Sequence, residues 1–265
     1  TSCDKTAKLW NLKGQLFHKF SHQDTVNNAS FSPNGKYIIT ASNDKTAKIW
    51  DLKGRLIRTF SDTVNISRSN FSPDGKYIVT LSDDNTAKIW DLTGKQISTL
   101  SHKGKISHSS FSSDGKYIVT ASEDKTARIW DINGNLISIL PHKGKVSHSS
   151  FSPDGKYIVT ASEDKTAKIW TSKGKLIDTL KHKGEVHTAK FSPDGKYIVT
   201  ASNDITAKIW DLAGKQISTL PHKAEVVMAN FSPNSKFVIT ASYDRTAKIW
   251  DMSGTQIASF VHEKD

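Results

Sequence analysis

The sequence holds one cysteine, Cys3, among 265 residues, so no disulfide can form within the chain. That scarcity suits a reducing compartment, and a cytoplasmic location is expected. No apolar run approaches the roughly 18–20 residues that a membrane helix needs, which argues against membrane insertion. Missing too are a G-x-S-x-G nucleophile turn, a Gly-rich phosphate loop and clustered cysteines of zinc-ligand spacing, so neither an enzyme nor a cofactor is expected. Acidic residues are in deficit: 26 against 37 Lys and Arg, for a net charge of +11. Such a balance can mark nucleic-acid or anionic-surface binding. Here the lysines are scattered along the chain rather than gathered in one block, so a solvated basic surface is the stronger reading and nucleic acid the alternative. Helix-length segments are also lacking. The stretches between turn signals run to about six residues, too short for a typical globular helix.

What the sequence does have is a period. Its seven tryptophans stand at Trp10, Trp50, Trp90, Trp130, Trp170, Trp210 and Trp250, a constant step of 40. Phe31, Phe71, Phe111, Phe151, Phe191 and Phe231 keep the same step, as do glycines from Gly14 to Gly254. A repeat of this length fits a four-stranded propeller blade. Within one copy, KVSHSSF (145–151) leads into the turn SPDG. KYIVTAS (156–162) is β-branched and aromatic, EDK makes a tight turn, TAKIW follows as a third strand, and KLIDTL (175–180) is a more polar fourth. A sheet of this size cannot bury both faces alone, whereas sheets stacked around an axis bury one another. The expected fold is all-β: a propeller of four-stranded antiparallel blades, six complete and a partial seventh. The expected divisions are 1–24 (third and fourth strands of a partial blade), 25–64, 65–104, 105–144, 145–184, 185–224, and 225–265 with a C-terminal linker.

The recurring IWD, the Asp six residues before the Trp, the FSPDG turn and the upstream His together resemble the Trp-Asp (WD) repeat family, over essentially the whole chain. The chain is similar to the highly regular bacterial and cyanobacterial arrays of that family. It implies one hydrogen-bonded tetrad per blade: a His from the loop leading into the blade, a hydroxyl on the second strand, an Asp in the tight turn and the Trp. Carried over by spacing, the sets are His22, Thr40, Asp44, Trp50; His102, Thr120, Asp124, Trp130; His142, Thr160, Asp164, Trp170; His182, Thr200, Asp204, Trp210; and His222, Thr240, Asp244, Trp250. The remaining repeat has Thr80, Asp84 and Trp90, with Asp62 where His belongs. Two acids in one network predict the least stable blade. Thr171 and Asn11 stand where Asp would follow the Trp, and no Gly precedes the histidines.

A His, a hydroxyl and an Asp could also form a hydrolase triad. The trio recurs complete in five copies, each time with its Trp, which points to a structural task. His108, His148 and His187 invite a metal reading, but they come from different repeats without cysteine partners.

The resemblance implies a non-catalytic scaffold that binds proteins or peptides, a sensing or interaction module of a larger signalling protein. It also implies three partner-facing positions per blade: the third and fifth residues after the His, and the residue before the Asp. The candidates are Tyr243, Val227, Glu225, His187, Glu185, Lys145, Glu163, Lys105, Glu123 and Asn27. Thr1 aligns with the middle of a second strand, and VHEKD with SHQDT. The chain is therefore expected to be a fragment of a longer array, with unpaired strand edges that favour association.

Overall fold

A computed structural model describes residues 1–262, which form 26 strands and no helix. The first two strands, Thr6–Trp10 and Leu16–Ser21, pair as a two-stranded sheet, and the other 24 make six four-stranded sheets in simple sequence order. We number these six blades from the N-terminus. The chain divides into two compact units. One comprises Thr1–Ile106 with Ile132–Asn135, and the other Ser107–Asp131 with everything described from Leu136 onward.

Blade 4 shows why these letters make these strands. Its strands are Val146–Phe151, Tyr157–Ser162, Thr166–Thr171 and Leu176–Lys181. Tyr157 pairs with Thr171, Val159 with Ile169 and Ala161 with Ala167, and a bulge between Ile169 and Trp170 shifts the register toward the fourth strand. The second strand is buried on both faces from Ile158 to Ser162, so it carries no polar–apolar alternation. In the fourth strand only Leu180 is buried, which explains its polar sequence.

Two side-chain turns hold the connections. Ser152 Oγ donates to Asp154 Oδ1 at 2.6 Å and accepts the Tyr157 N–H at 2.9 Å. Gly155 adopts φ +70° in that turn, where a β-carbon would be strained. In the tight turn after the Asp, the left-handed position falls on a residue with a side chain in every blade: Lys45, Asn85, Lys125, Lys165, Ile205 and Arg245.

Blades join through apolar clusters that straddle neighbours. Val159, Ala161, Ala167, Ile169 and Leu180 of blade 4 pack with Val186, Ala189, Ile198 and Trp210 of blade 5. The cross-strand alanine pair leaves the room that the neighbouring indole fills. Blade 5 receives Trp250 of blade 6 in the same way, and in the other unit blade 1 receives Trp90. Each fully buried Val, Leu or Ile contributes roughly 1.5–3 kcal/mol of transfer free energy. In blade 6 the corresponding face is uncovered among the described residues. Ile239 is 44% and Phe260 55% exposed, where Val199 and Leu220 of blade 5 are at 0%.

Candidate functional site

Each tetrad begins with an indole N–H, which can only donate and is buried with the ring. In blade 4, Trp170 Nε1 donates to Thr160 Oγ1 at 2.9 Å. Thr160 Oγ1 meets His142 Nε2 at 2.7 Å, and His142 Nδ1 meets Asp164 Oδ2 at 2.9 Å. For a neutral ring the chain reads one way: Trp N–H to Thr, Thr O–H to His Nε2, His Nδ1–H to the carboxylate. Blades 1, 5 and 6 repeat it with every link between 2.7 and 2.9 Å, through His22–Thr40–Asp44–Trp50, His182–Thr200–Asp204–Trp210 and His222–Thr240–Asp244–Trp250. In blade 3, Trp130 donates to Thr120 at 2.9 Å, Asp124 pairs with Arg128 at 3.1 Å, and His102 is buried with its backbone N–H on Asn85 O.

The carboxylates are fully engaged. Asp164 Oδ2 also accepts the Lys143 N–H at 2.9 Å, and its Oδ1 accepts the Thr166 N–H and hydroxyl at 3.1 and 2.5 Å. It thereby ties the loop leading into the blade to the start of the third strand. Burial pushes these carboxyls up, but the hydrogen bonds and the imidazole overcome it. Asp44 and Asp204 end near 2, and Asp164 and Asp244 are also held well below the usual range. Burial dominates at the histidines and lowers His22, His142 and His222, and it takes His182 to about 4. Thr160 is fully buried, which puts the hydroxyl of the supposed triad out of reach of a substrate.

Sequence reasoning passed over three further members, although each recurs in blade after blade. Ser162 Oγ donates to Gly144 O and accepts the Asp164 N–H, each at 3.1 Å. Thr166 is the Asp partner described above. The Lys168 ammonium lies 5.5 Å from the Trp170 ring centre and donates to Pro141 O.

Blade 2 is built differently. Trp90 donates to Thr80 at 3.0 Å. Asp62 accepts the Ser82 hydroxyl at 2.7 Å and is paired with Lys88, whose ammonium is 3.8 Å from Asp84. One lysine stands between the two acids that the sequence places together. Burial raises the Asp62 carboxyl, and Lys88, Ser82 and the Thr63 N–H bring it below its ordinary value.

Around the tetrads lies a rim on which the partner-facing candidates of each unit gather. The backbone sets it: Glu163 N–H bonds Lys145 O at 2.9 Å, Asn203 N–H bonds Glu185 O at 2.9 Å, and Tyr243 N–H bonds Glu225 O at 3.0 Å. In the first unit, Asn27 Nδ2 reaches Asn43 Oδ1 at 2.7 Å, and Lys105 pairs with Asp83 at 3.1 Å. In the second, Lys145 pairs with Glu123 at 3.2 Å. Glu123, followed by Glu163 and Glu185, raises the affinity of Lys145 for its proton. His187 is engaged with Asn203, whose amide also reaches Glu185 at 3.3 Å. Val227 is half-buried, and Tyr243 is 71% exposed.

Among the described residues no three His, Cys, Asp or Glu side chains converge as a metal site, and no helix is long and apolar enough to cross a membrane.

Comparison with known proteins places this architecture. The family described as the IFT122 first beta-propeller matches residues 1–181, and the WD domain, G-beta repeat matches 174–211 and 214–251. No curated protein matches in sequence. Among solved structures, the computationally designed Ika8 protein superposes with a TM-score of 0.87 at 26% identity, over 98% of this chain and 82% of that one. The indole-anchored tetrads, the four-stranded blades and these matches lead to one conclusion: the chain belongs to the WD-repeat β-propellers, in the family of the IFT122 first beta-propeller.

Proposed function

We propose that the protein is a non-catalytic scaffold that binds a protein or peptide on the rim around the tetrads, with Tyr243 as its principal anchor. The supporting observation is the exposed Tyr243 ring in a blade whose neighbouring rim positions are Glu225 and Val227. The other blades carry Asn43, Asp83, Glu123, Glu163 and Asn203 at that position. An aromatic side chain with a polar tip, standing clear of the surface, is typical of an interface hot spot. The tetrads beneath repeat almost unchanged, while the rim letters differ among the blades except between blades 3 and 4, which share Lys, Ser and Glu. The acids Glu123, Glu163 and Glu185 around Lys145 make the rim of the second unit a poor surface for polyphosphate.

The test is selection of peptides from a random library on the immobilised protein, followed by anisotropy titrations of the winners. Tyr243→Ala should weaken them by roughly tenfold or more, the loss expected of a hot-spot truncation. Ile137→Ala, which trims an exposed fourth-strand side chain, should leave them unchanged. Peptides indifferent to Tyr243, or displaced by duplex DNA with a steep salt dependence, would overturn the proposal.

A further inference from the structure

The least repetitive part of the chain is the first strand of each blade. Its third and fifth residues read Asn28 and Ser30, Arg68 and Asn70, His108 and Ser110, His148 and Ser150, Thr188 and Lys190, Met228 and Asn230. Within each unit several of these side chains reach from one first strand to the next. Asn28 Oδ1 accepts the Ser69 N–H at 3.1 Å, His108 Nδ1 donates to Ser149 O at 3.0 Å, and Ser150 Oγ donates to Ala189 O at 3.4 Å. Joining strands would be served by one residue copied from blade to blade, as Thr and Trp of the tetrads are in all six. Blades 3 to 5 instead bring together two imidazoles and an ammonium.

The His108 and His148 rings stack with centres 4.0 Å apart and planes 27° from parallel. Lys190 replaces the serine that blades 3 and 4 carry at its position. Its partly buried ammonium donates to Asn230 Oδ1 at 2.6 Å, and no carboxylate pairs with it among the described residues. A desolvated cation held only by an amide oxygen is costly, and an ammonium has three protons to give. Burial accordingly makes Lys190 a weaker base than usual. These three side chains and the rings of Phe111, Phe151 and Phe191 line one cavity of about 480 Å³. It lies beside the Phe-Ser turns, at the opposite end of the first strands from the rim. The volume falls within the usual range for small-molecule sites, and the lining sets three phenylalanine rings and two prolines beside serines, the two histidines and Lys190.

We infer that this cavity binds a small carboxylate with an apolar body, its carboxylate on Lys190 beside the stacked histidines and its hydrocarbon against the three phenylalanines. The carboxylate supplies the counter-charge that Lys190 lacks. The rings supply what an inorganic anion cannot use, which separates an apolar acid from phosphate. The site is independent of the rim and of whatever binds there.

The probe is 2-naphthoate, titrated by its own fluorescence, with neutral 2-naphthamide and inorganic phosphate as comparators. Saturable naphthoate binding is expected, with naphthamide roughly tenfold or more weaker, as a lost charge-assisted hydrogen bond implies. Lys190→Ser should abolish that preference without lowering Tm, because blades 3 and 4 already fold with Ser110 and Ser150 at this position. His148→Asn, which borrows the residue of blade 1, should perturb the His108 imidazole resonances and weaken naphthoate. Three results would each overturn the inference: no saturable naphthoate binding, equal affinity for acid and amide, or naphthoate binding untouched by Lys190→Ser. Phosphate competing as strongly as naphthoate would reduce the site to a simple anion trap and overturn the apolar part.

Discussion

Thr160→Val and Thr80→Val are the same chemical change in two blades and should differ in cost. Valine keeps the shape of threonine and deletes the hydroxyl. In blade 4 that hydroxyl joins two buried partners, Trp170 Nε1 at 2.9 Å and His142 Nε2 at 2.7 Å. In blade 2 the same hydroxyl serves Trp90 alone, because Asp62 replaces the histidine and turns to Ser82 and Lys88. Each buried group left without a partner costs about 1–3 kcal/mol. Thr80→Val should therefore cost about 1–3 kcal/mol and Thr160→Val about 2–6 kcal/mol, a gap of about 1–3 kcal/mol. Both sites are fully buried, so the packing contribution nearly cancels in the comparison. Urea denaturation followed by tryptophan fluorescence gives the two losses. Hydrogen exchange at the indole N–H reports each network locally, and Trp170 should gain exchange more than Trp90. Equal losses in the two blades would refute the claim that the histidine link contributes to stability.

Two further outcomes follow from the same geometry. Ile205 sits at φ 64°, a left-handed conformation that β-branched residues rarely adopt, and its side chain is exposed. Ile205→Asn should raise stability by about 1 kcal/mol, read as a higher urea midpoint; a lower midpoint would show that the turn is not strained. Acid should act in two stages. His182 is near 4 in the folded state, below its ordinary 6.5, so the unfolded chain binds more protons between those values and stability falls as pH drops through that window. The slope should approach about 1.4 kcal/mol per pH unit for each such histidine. Asp44 and Asp204, lowered from 3.8 to about 2, contribute stability above 3.8 that disappears as pH falls toward 2. A urea midpoint that stays flat down to pH 4 would contradict the neutral, buried histidines.

The repeat, the strands and the tetrad members were legible because each depends on neighbours in the same forty residues. The Trp needs an acceptor ten residues back, and TASEDKTAKIW spells out the rest of the turn. Contacts between blades were not legible in this way. Nothing in the letters says that Lys145 meets Glu123, or that His108 stacks on His148, since each pair joins separate repeats. Blade 2 shows the limit most clearly. Asp62 and Asp84 read as two acids in one network, and the lysine between them is Lys88, a letter shared with most other repeats. In those blades it leans over the indole, as Lys208 does at 5.4 Å from the Trp210 ring centre.

The alanine pair that receives the next indole has an evolutionary consequence. Along the second unit the sockets of blades 3, 4 and 5 each receive the indole of the next blade, and socket and plug barely change. A stretch of forty residues can then be duplicated, deleted or exchanged by recombination with little penalty at the joint. Rim residues ride on such a cassette through backbone bonds like that of Tyr243 to Glu225, which make no demand on the side chain. Under the rim binding proposed above, new specificities are assembled by shuffling whole cassettes, with no need to repair a core after each change.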